Sequence, residues 1–221
     1  MRKSQPTKAG KKSMYGYLLR RYAKPALAVT TFFLIGVSIA GAQVLFQDEA
    51  IPAGISAPGE SYGAAWGDLN GDGYPDLFVS NHRTQPAVYV NRRDGTFFRN
   101  SNQVFPWVNR RGADTHGGTW SDFDNDGDLD LLITTGTGND QQLLVNERGD
   151  LLDRTQELGV ALNNAGGRST MWLDYDRDGL MDFVIVQWGG VAQLFRQTST
   201  GFVNSTIGSN LVCNRIQYGH L

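Results

Sequence analysis

Apolar residues in this chain form short runs separated by polar turns, and the same succession of runs occurs three times. In each copy, a Gly-rich stretch containing a Trp leads into an Asp-rich loop, which is followed by two apolar runs and a turn. Runs of this length bounded by turn residues are typical of strands, and no copy has a convincing helical period. The pattern therefore predicts short strands. The first runs cover residues 77–79, 129–133 and 183–186, and the second runs cover 87–90, 143–145 and 193–195.

The Asp-rich loops define the length of the repeat. They begin at Asp68, Asp122 and Asp174, so their spacings are 122 − 68 = 54 and 174 − 122 = 52 residues. A further short strand after a turn completes four strands in each period, and four-stranded units of this length are the sequence signature of propeller blades. We therefore predict an all-β fold, a β-propeller of four-stranded blades. The Trp two residues before each loop is predicted to lie in a blade core: Trp66, Trp120 and Trp172.

About three blades are present in the predicted propeller segment, residues 43–221. Their approximate bounds are 55–105, 106–160 and 161–212, and residues 213–221 resemble the start of a fourth blade. Natural propellers close their rings with about four to eight blades. We therefore expect this sequence to be a fragment of a longer propeller.

The nine-residue loops have the composition of a calcium site, because calcium takes about six to eight oxygen ligands. Side chains at loop positions 1, 3, 5 and 9 can converge on one ion, Gly at position 6 permits the turn, and the carbonyl at position 7 can add an oxygen. We predict one Ca²⁺ in each loop, three in all. The candidate ligands are Asp68, Asn70, Asp72, Tyr74 and Asp76 in the first loop, Asp122, Asp124, Asp126, Asp128 and Asp130 in the second, and Asp174, Asp176, Asp178, Leu180 and Asp182 in the third.

An Asp-rich loop of this kind also occurs in EF-hands and in solvated turns. An EF-hand needs a Glu at position 12 and flanking helices, whereas position 12 here is Val79, Ile133 or Ile185 within an apolar run. The EF-hand is therefore excluded. A solvated Asp/Gly turn is an alternative for a single loop, but three loops in register favour calcium. The first loop has Asn70 where the others have Asp, so it is predicted to bind calcium most weakly.

The N-terminal region has the pattern of an export signal. Residues 1–24 are basic, and residues 25–42 form an apolar segment that is either the hydrophobic region of a signal peptide or a membrane anchor. The small residues Ala40-Gly41-Ala42 match a signal-peptidase site. The uncharged run nevertheless continues through residues 26–46, 21 residues, which is long enough to span a bilayer. Both interpretations predict an extracytoplasmic protein that is secreted, periplasmic or held at a membrane by this segment.

Charge is distributed unevenly along the chain. After residue 42 there are 12 Arg, no Lys and 22 acidic residues, a net charge of 12 − 22 = −10. Such a body repels phosphate, so nucleic acid is not an expected partner, whereas cations are. The single cysteine, Cys213, allows no intrachain disulfide.

The repeat resembles that of the FG-GAP/VCBS repeat proteins, which are similar to the integrin α-subunit propeller. The resemblance rests on Trp-x-Asp-x-Asn/Asp-x-Asp-Gly-x-x-Asp, followed by an apolar strand and a hairpin such as Asn-x-x-Asp-Gly-Thr-Phe at residues 91–97. It implies a β-propeller with a structural calcium ion in the first hairpin of each blade, and it covers the chain from about residue 44.

These observations favour a non-catalytic scaffold that binds a protein or glycan partner, as adhesion proteins do. One alternative is part of an extracytoplasmic enzyme, for example one acting on polysaccharide, and another is a purely structural exported repeat with no ligand beyond calcium. We find no set of catalytic residues, and His82, His116 and His220 do not have a metal-ligand spacing. His116 is expected to make a backbone hydrogen bond. Four acidic residues outside the Asp-rich loops have no partner that the sequence identifies: Glu60, Asp114, Asp140 and Glu157.

Overall fold

The computed structural model describes residues 46–56, 59–101, 114–136, 141–161, 166–188 and 190–207. The basic region 1–24, the apolar segment 25–42, Cys213, His220 and the predicted start of a fourth blade lie outside these residues. Within the described ranges every regular element is a strand, so none of them holds a helix that could cross a bilayer.

The described residues form three four-stranded antiparallel sheets, and each sheet is a meander with its strands in chain order. The all-β fold built from four-stranded units is confirmed, and the sheets are propeller-like blades. The approximate blade bounds and the closure of a ring remain predictions. The strands of the first sheet are β1 Ala64–Gly67, β2 Asp76–Val79, β3 Ala87–Asn91 and β4 Phe97–Arg99; those of the second are β5 Thr115–Ser121, β6 Asp130–Thr135, β7 Gln142–Glu147 and β8 Asp150–Asp153; those of the third are β9 Gly167–Leu173, β10 Asp182–Gln187, β11 Gln193–Thr198 and β12 Gly201–Asn204.

The sheets pack face to face, so their central strands are buried on both sides. Successive residues of a strand point to opposite faces. Phe78 of β2 and Leu131 of β6 share one hydrophobic core cluster, whereas the next residue, Leu132, shares a second cluster with Phe183 of β10. The second sheet therefore lies between the first and the third. This explains why these strands are continuous apolar runs and do not alternate between apolar and polar residues.

The first strands of neighbouring sheets approach each other closely. Trp120 Nε1 donates a hydrogen bond to the Ala65 carbonyl at 3.2 Å, and a Cβ at Gly67 would lie 2.5 Å from Trp120 Cγ. Glycine is needed at Gly67 because the indole covers it. Trp120 and Trp172 each pack against a core cluster, as predicted. The prediction is wrong for Trp66, which is 58% exposed because its face of the first sheet has no neighbouring sheet among the described residues.

Candidate metal centres

The three Asp-rich loops connect β1 to β2, β5 to β6 and β9 to β10, which is the first hairpin of each sheet. Gly at position 6 has a positive φ in every loop, at 85° in Gly73, 96° in Gly127 and 88° in Gly179, as expected from its residue type. Position 4 is also left-handed in every loop, which the sequence did not predict. It is Gly71 in the first loop, Asn125 in the second and Arg177 in the third.

The same hydrogen bonds shape all three loops. The position-1 carboxylate accepts the N–H groups of positions 5 and 6 at 2.7–3.2 Å. The position-3 oxygen accepts the N–H of position 5, and the position-5 carboxylate accepts the N–H of position 7. The side-chain oxygens are thus held on the inside of a tight turn, because each is tied to the backbone that curves around it.

The Asp at position 9 closes each loop from within the protein. Asp130 Oδ2 accepts the Phe123 N–H at 3.2 Å, and its Oδ1 accepts the Asn146 N–H of β7 at 2.9 Å. The equivalent carboxylates make the same pair of bonds, to loop position 2 and to the third strand, at 2.8–3.1 Å. All three side chains are fully buried: Asp76, Asp130 and Asp182.

Buried negative charge accumulates at these loops. In the second loop, carboxylate oxygens of Asp122, Asp124 and Asp130 lie within 4.8 Å of one another, and positions 1, 3 and 9 of the third loop form an equivalent group. The pKa of Asp130 is raised to about 7, mainly by burial and to a smaller extent by the nearby charges of Asp124 and Asp126, against the lowering effect of its two backbone hydrogen bonds. Burial also raises the pKa values of Asp76 and Asp182. A cation among these oxygens would remove the repulsion, and an all-oxygen donor set suits a hard divalent ion such as Ca²⁺.

Arginines approach position 5 of two loops. Arg93 Nη2 lies 3.0 Å from Asp72 Oδ2, and Arg196 Nη1 lies 3.8 Å from Asp178 Oδ2 and 3.7 Å from Asp176 Oδ2. Partial desolvation of Asp72 raises its pKa, but hydrogen bonds from the Tyr74 N–H and Arg93 outweigh this, so the net pKa is lowered. In the described part of the chain, no arginine makes an equivalent ion pair with Asp126 of the second loop.

The structure thus brings together positions 1, 3 and 9 of the second and third loops, and the first loop has the same hydrogen bonds with Asn70 at position 3. The position-5 carboxylates bond to the backbone, and two of them are also paired with arginine. The contribution of the position-7 carbonyls remains a prediction. It concerns Tyr74, Asp128 and Leu180.

A second group of possible metal ligands lies outside the Asp-rich loops. The fold brings His82 and His116 together around Asp114, a grouping that their spacing in the sequence does not predict. The expected backbone hydrogen bond of His116 is present, with Nδ1 3.0 Å from the Gly167 carbonyl oxygen. No sequence motif marks the group, because His82 follows a strand of the first sheet whereas Asp114 and His116 stand at the beginning of the second.

Three stacked four-stranded meanders, each with an Asp-rich loop in its first hairpin, define a propeller-like repeat protein. The family model of the FG-GAP-like repeat matches residues 68–133 and 122–185, and each match runs from one Asp-rich loop through the next loop and the strand that follows. The chain therefore belongs to the FG-GAP-like repeat family. No curated protein matches the chain.

Proposed function

We propose that this protein is an exported, calcium-stabilised propeller scaffold that binds a protein or glycan partner and is not itself an enzyme. The observation that carries the calcium part is the fully buried Asp at position 9, which faces other carboxylates in a loop with no buried cation among the described residues. Uncompensated buried charge is costly, so these loops favour an ion that supplies the missing positive charge.

Calcium fits these loops better than a softer metal does. Every candidate donor is a carboxylate, amide or carbonyl oxygen, which are the ligands of Ca²⁺ and Mg²⁺. Magnesium demands near-octahedral geometry, whereas calcium accepts the irregular set that a loop of positions 1, 3, 5, 7 and 9 supplies. Since positions 1 and 9 lie next to the paired ends of two strands, the ion would close a hairpin. Its role is therefore structural.

The scaffold part rests on the family and on the N-terminal sequence. FG-GAP-like repeats in a propeller-like fold suggest an interaction surface, and the basic region followed by the apolar segment 25–42 supports export. If the apolar segment is not cleaved, it attaches the scaffold to the membrane.

Calcium dependence is tested by thermal unfolding and titration calorimetry of the purified protein in Ca²⁺, Mg²⁺ or EDTA. We expect three calcium ions per chain and a higher unfolding midpoint in Ca²⁺ than in Mg²⁺ or EDTA. Asp124→Ala removes an exposed position-3 ligand and should lower the stoichiometry to two. Asp150→Ala removes an exposed carboxylate of β8 outside the loops and serves as the matched control. Equal midpoints in Ca²⁺ and EDTA would refute the proposal.

The partner is tested separately on the calcium-loaded protein. A glycan array and a screen of extracellular proteins test binding, and a panel of hydrolase and lyase substrates tests activity. Calcium-dependent binding without turnover supports the scaffold. Turnover of a polysaccharide would instead place the protein among enzymes.

A further inference from the structure

A compact group of side chains joins the first and second sheets at the ends of their strands opposite the Asp-rich loops. His82 follows β2, which begins at the loop residue Asp76 and runs away from it. Asp114 immediately precedes β5 and His116 is its second residue, and β5 runs towards its own loop at Asp122. The group is therefore separate from the proposed calcium sites, and its three members come from two blades.

Buried hydrogen bonds hold the two segments in register. The Thr115 N–H donates to the Asn81 carbonyl at 3.0 Å, and the Asn81 N–H donates to Thr115 Oγ1 at 2.7 Å. Ser80 Oγ donates to the His116 carbonyl at 3.0 Å. Because residues on both sides of the group are fixed by these bonds, the backbone that carries the three side chains is preorganised.

The three polar side chains converge on one point. His82 Nδ1 and His116 Nε2 lie 2.5 and 2.6 Å from the same oxygen, Asp114 Oδ1, and 3.2 Å from each other. Despite these short distances, Asp114 Oδ1 is buried and accepts no hydrogen bond. A buried carboxylate oxygen without a donor is costly. A cation between the oxygen and the two nitrogens would satisfy all three.

We propose that His82, Asp114 and His116 form a binding site for a divalent transition-metal ion of the zinc type, which links the first blade to the second. Two imidazole nitrogens and one carboxylate oxygen suit Zn²⁺ and similar ions and do not suit Ca²⁺. Ligands about 2.0–2.1 Å from a tetrahedral zinc ion lie about 3.3 Å apart, close to the separation of the two ring nitrogens. To complete a tetrahedral site, Asp114 Oδ1 would move roughly 0.7 Å away from the two ring nitrogens.

Groups around the ligands support this assignment. His116 is 4% exposed, and its Nδ1 lies at hydrogen-bonding distance from the Gly167 carbonyl, so Nε2 is left for the ion. Metal-binding histidines commonly donate their second nitrogen to a carbonyl in this way. His82 is 31% exposed, which provides access from solvent and leaves room for a water ligand.

Arg168 places a positive charge beside the proposed metal ligands. Its Nη1 contacts His116 Nδ1 and lies 3.2 Å from Nε2, while its guanidinium lies over the Trp188 ring at 5.1 Å. A metal ion bound to His116 must therefore displace the Arg168 guanidinium from the imidazole ring. Arg168→Met keeps the aliphatic stem and removes the charge, so we expect it to tighten metal binding about tenfold.

The test is zinc binding by a tag-free full-length protein in saturating Ca²⁺, so that calcium competes for the Asp-rich loops. We expect one zinc per chain, a dissociation constant at least tenfold higher in His82→Ala and Asp114→Asn, and tighter binding in Arg168→Met. His220→Ala, which removes the remaining histidine of the sequence, is the matched control and should bind like the wild type. Zinc binding that is absent, or equal in His82→Ala and the wild type, would overturn the proposal.

A second measurement decides the question if a variant does not fold. Circular dichroism in calcium identifies such a variant, and the X-ray absorption spectrum of the zinc-loaded wild type then reports the ligands directly. Two imidazoles in the first coordination shell support the proposal, and a shell of oxygen alone contradicts it by placing zinc in an Asp-rich loop.

Discussion

The Asn146 side chain donates a hydrogen bond from Nδ2 to the Leu69 carbonyl, 2.8 Å away, across the interface between the first and second sheets. Leu69 is position 2 of the first loop, and its N–H is held by Asp76. The Asn146 N–H is held by Asp130 of the second loop. Two neighbouring Asp-rich loops are thus connected by four residues. Gln197 repeats the link to the second loop, with Nε2 3.1 Å from the Phe123 carbonyl oxygen.

Removing this link should destabilise the protein. Asn146 is fully buried, and Asn146→Ala would leave the Leu69 and Leu129 carbonyls without their side-chain donor, so we expect a loss of about 1–3 kcal/mol in the free energy of unfolding. Urea denaturation in calcium measures it.

The first sheet offers the matched control for Asn146→Ala. The Asn91 side chain donates from Nδ2 to the Pro75 carbonyl of its own loop, at 3.0 Å and in an exposed setting, and this bond does not cross between sheets. Asn91→Ala should therefore cost less than about 1 kcal/mol. If Asn146→Ala and Asn91→Ala lower the free energy of unfolding equally, the contact between the two sheets does not stabilise the protein.

Stability of the metal-free protein should depend on pH through Asp130. Its pKa of about 7 in the folded protein lies above the ordinary value of 3.8, so the protonated form favours folding. Its contribution to the free energy of unfolding is fully present below about pH 4 and is lost as the pH rises to about 7. Above that pH, stability no longer changes through this residue. The total loss is at most on the order of 4 kcal/mol. We therefore expect urea midpoints in EDTA to fall between pH 5 and pH 8 more steeply in the wild type than in Asp130→Asn.

The pKa values of Asp76, Asp124 and Asp182 are also raised. Asp130→Asn should therefore weaken the fall in the urea midpoint with rising pH and not abolish it. Saturating calcium should oppose the trend in the wild type, because the ion binds the ionised carboxylates. Identical pH profiles of the wild type and Asp130→Asn in EDTA would contradict the assignment of the effect to this residue.

Much of this arrangement could be predicted from local sequence, because loop geometry depends on neighbouring residues. The positive φ of Gly127 and the strands on either side follow from residue type. Contacts between blades could not be predicted, since they join residues far apart in the chain: 34 residues for His82 and His116, and 77 for Asn146 and Leu69. Trp66 shows the same limit, because its exposure depends on which sheet lies beside it.

The first loop should have the lowest calcium affinity. It has Asn70 in place of a carboxylate, and Arg93 pairs with Asp72. The Gly N–H at position 6 of each loop donates to the position-1 carboxylate, so its amide resonance reports binding at that loop. In a calcium titration followed by NMR, we expect the Gly73 amide to respond at higher calcium than those of Gly127 and Gly179.

Asn70→Asp should tighten the first site about tenfold, since calcium affinity follows the number of charged ligands. Asn204→Asp adds the same charge at an exposed position of β12 and is the control. A Gly73 resonance that saturates first in the wild type would contradict this order.

Arg177 should impose a conformational cost that the other loops avoid. It occupies the left-handed position 4 at φ 62°, where the first loop has Gly71 and the second has Asn125. Asn tolerates this conformation better than Arg does. Arg177→Asn should therefore raise the free energy of unfolding by about 0.5–1 kcal/mol. The reciprocal Asn125→Arg should lower it by a similar amount, and both should be measured in EDTA, where loss of the Arg177 charge does not act through calcium affinity. If both substitutions shift stability in the same direction, the backbone conformation at position 4 is not the cause.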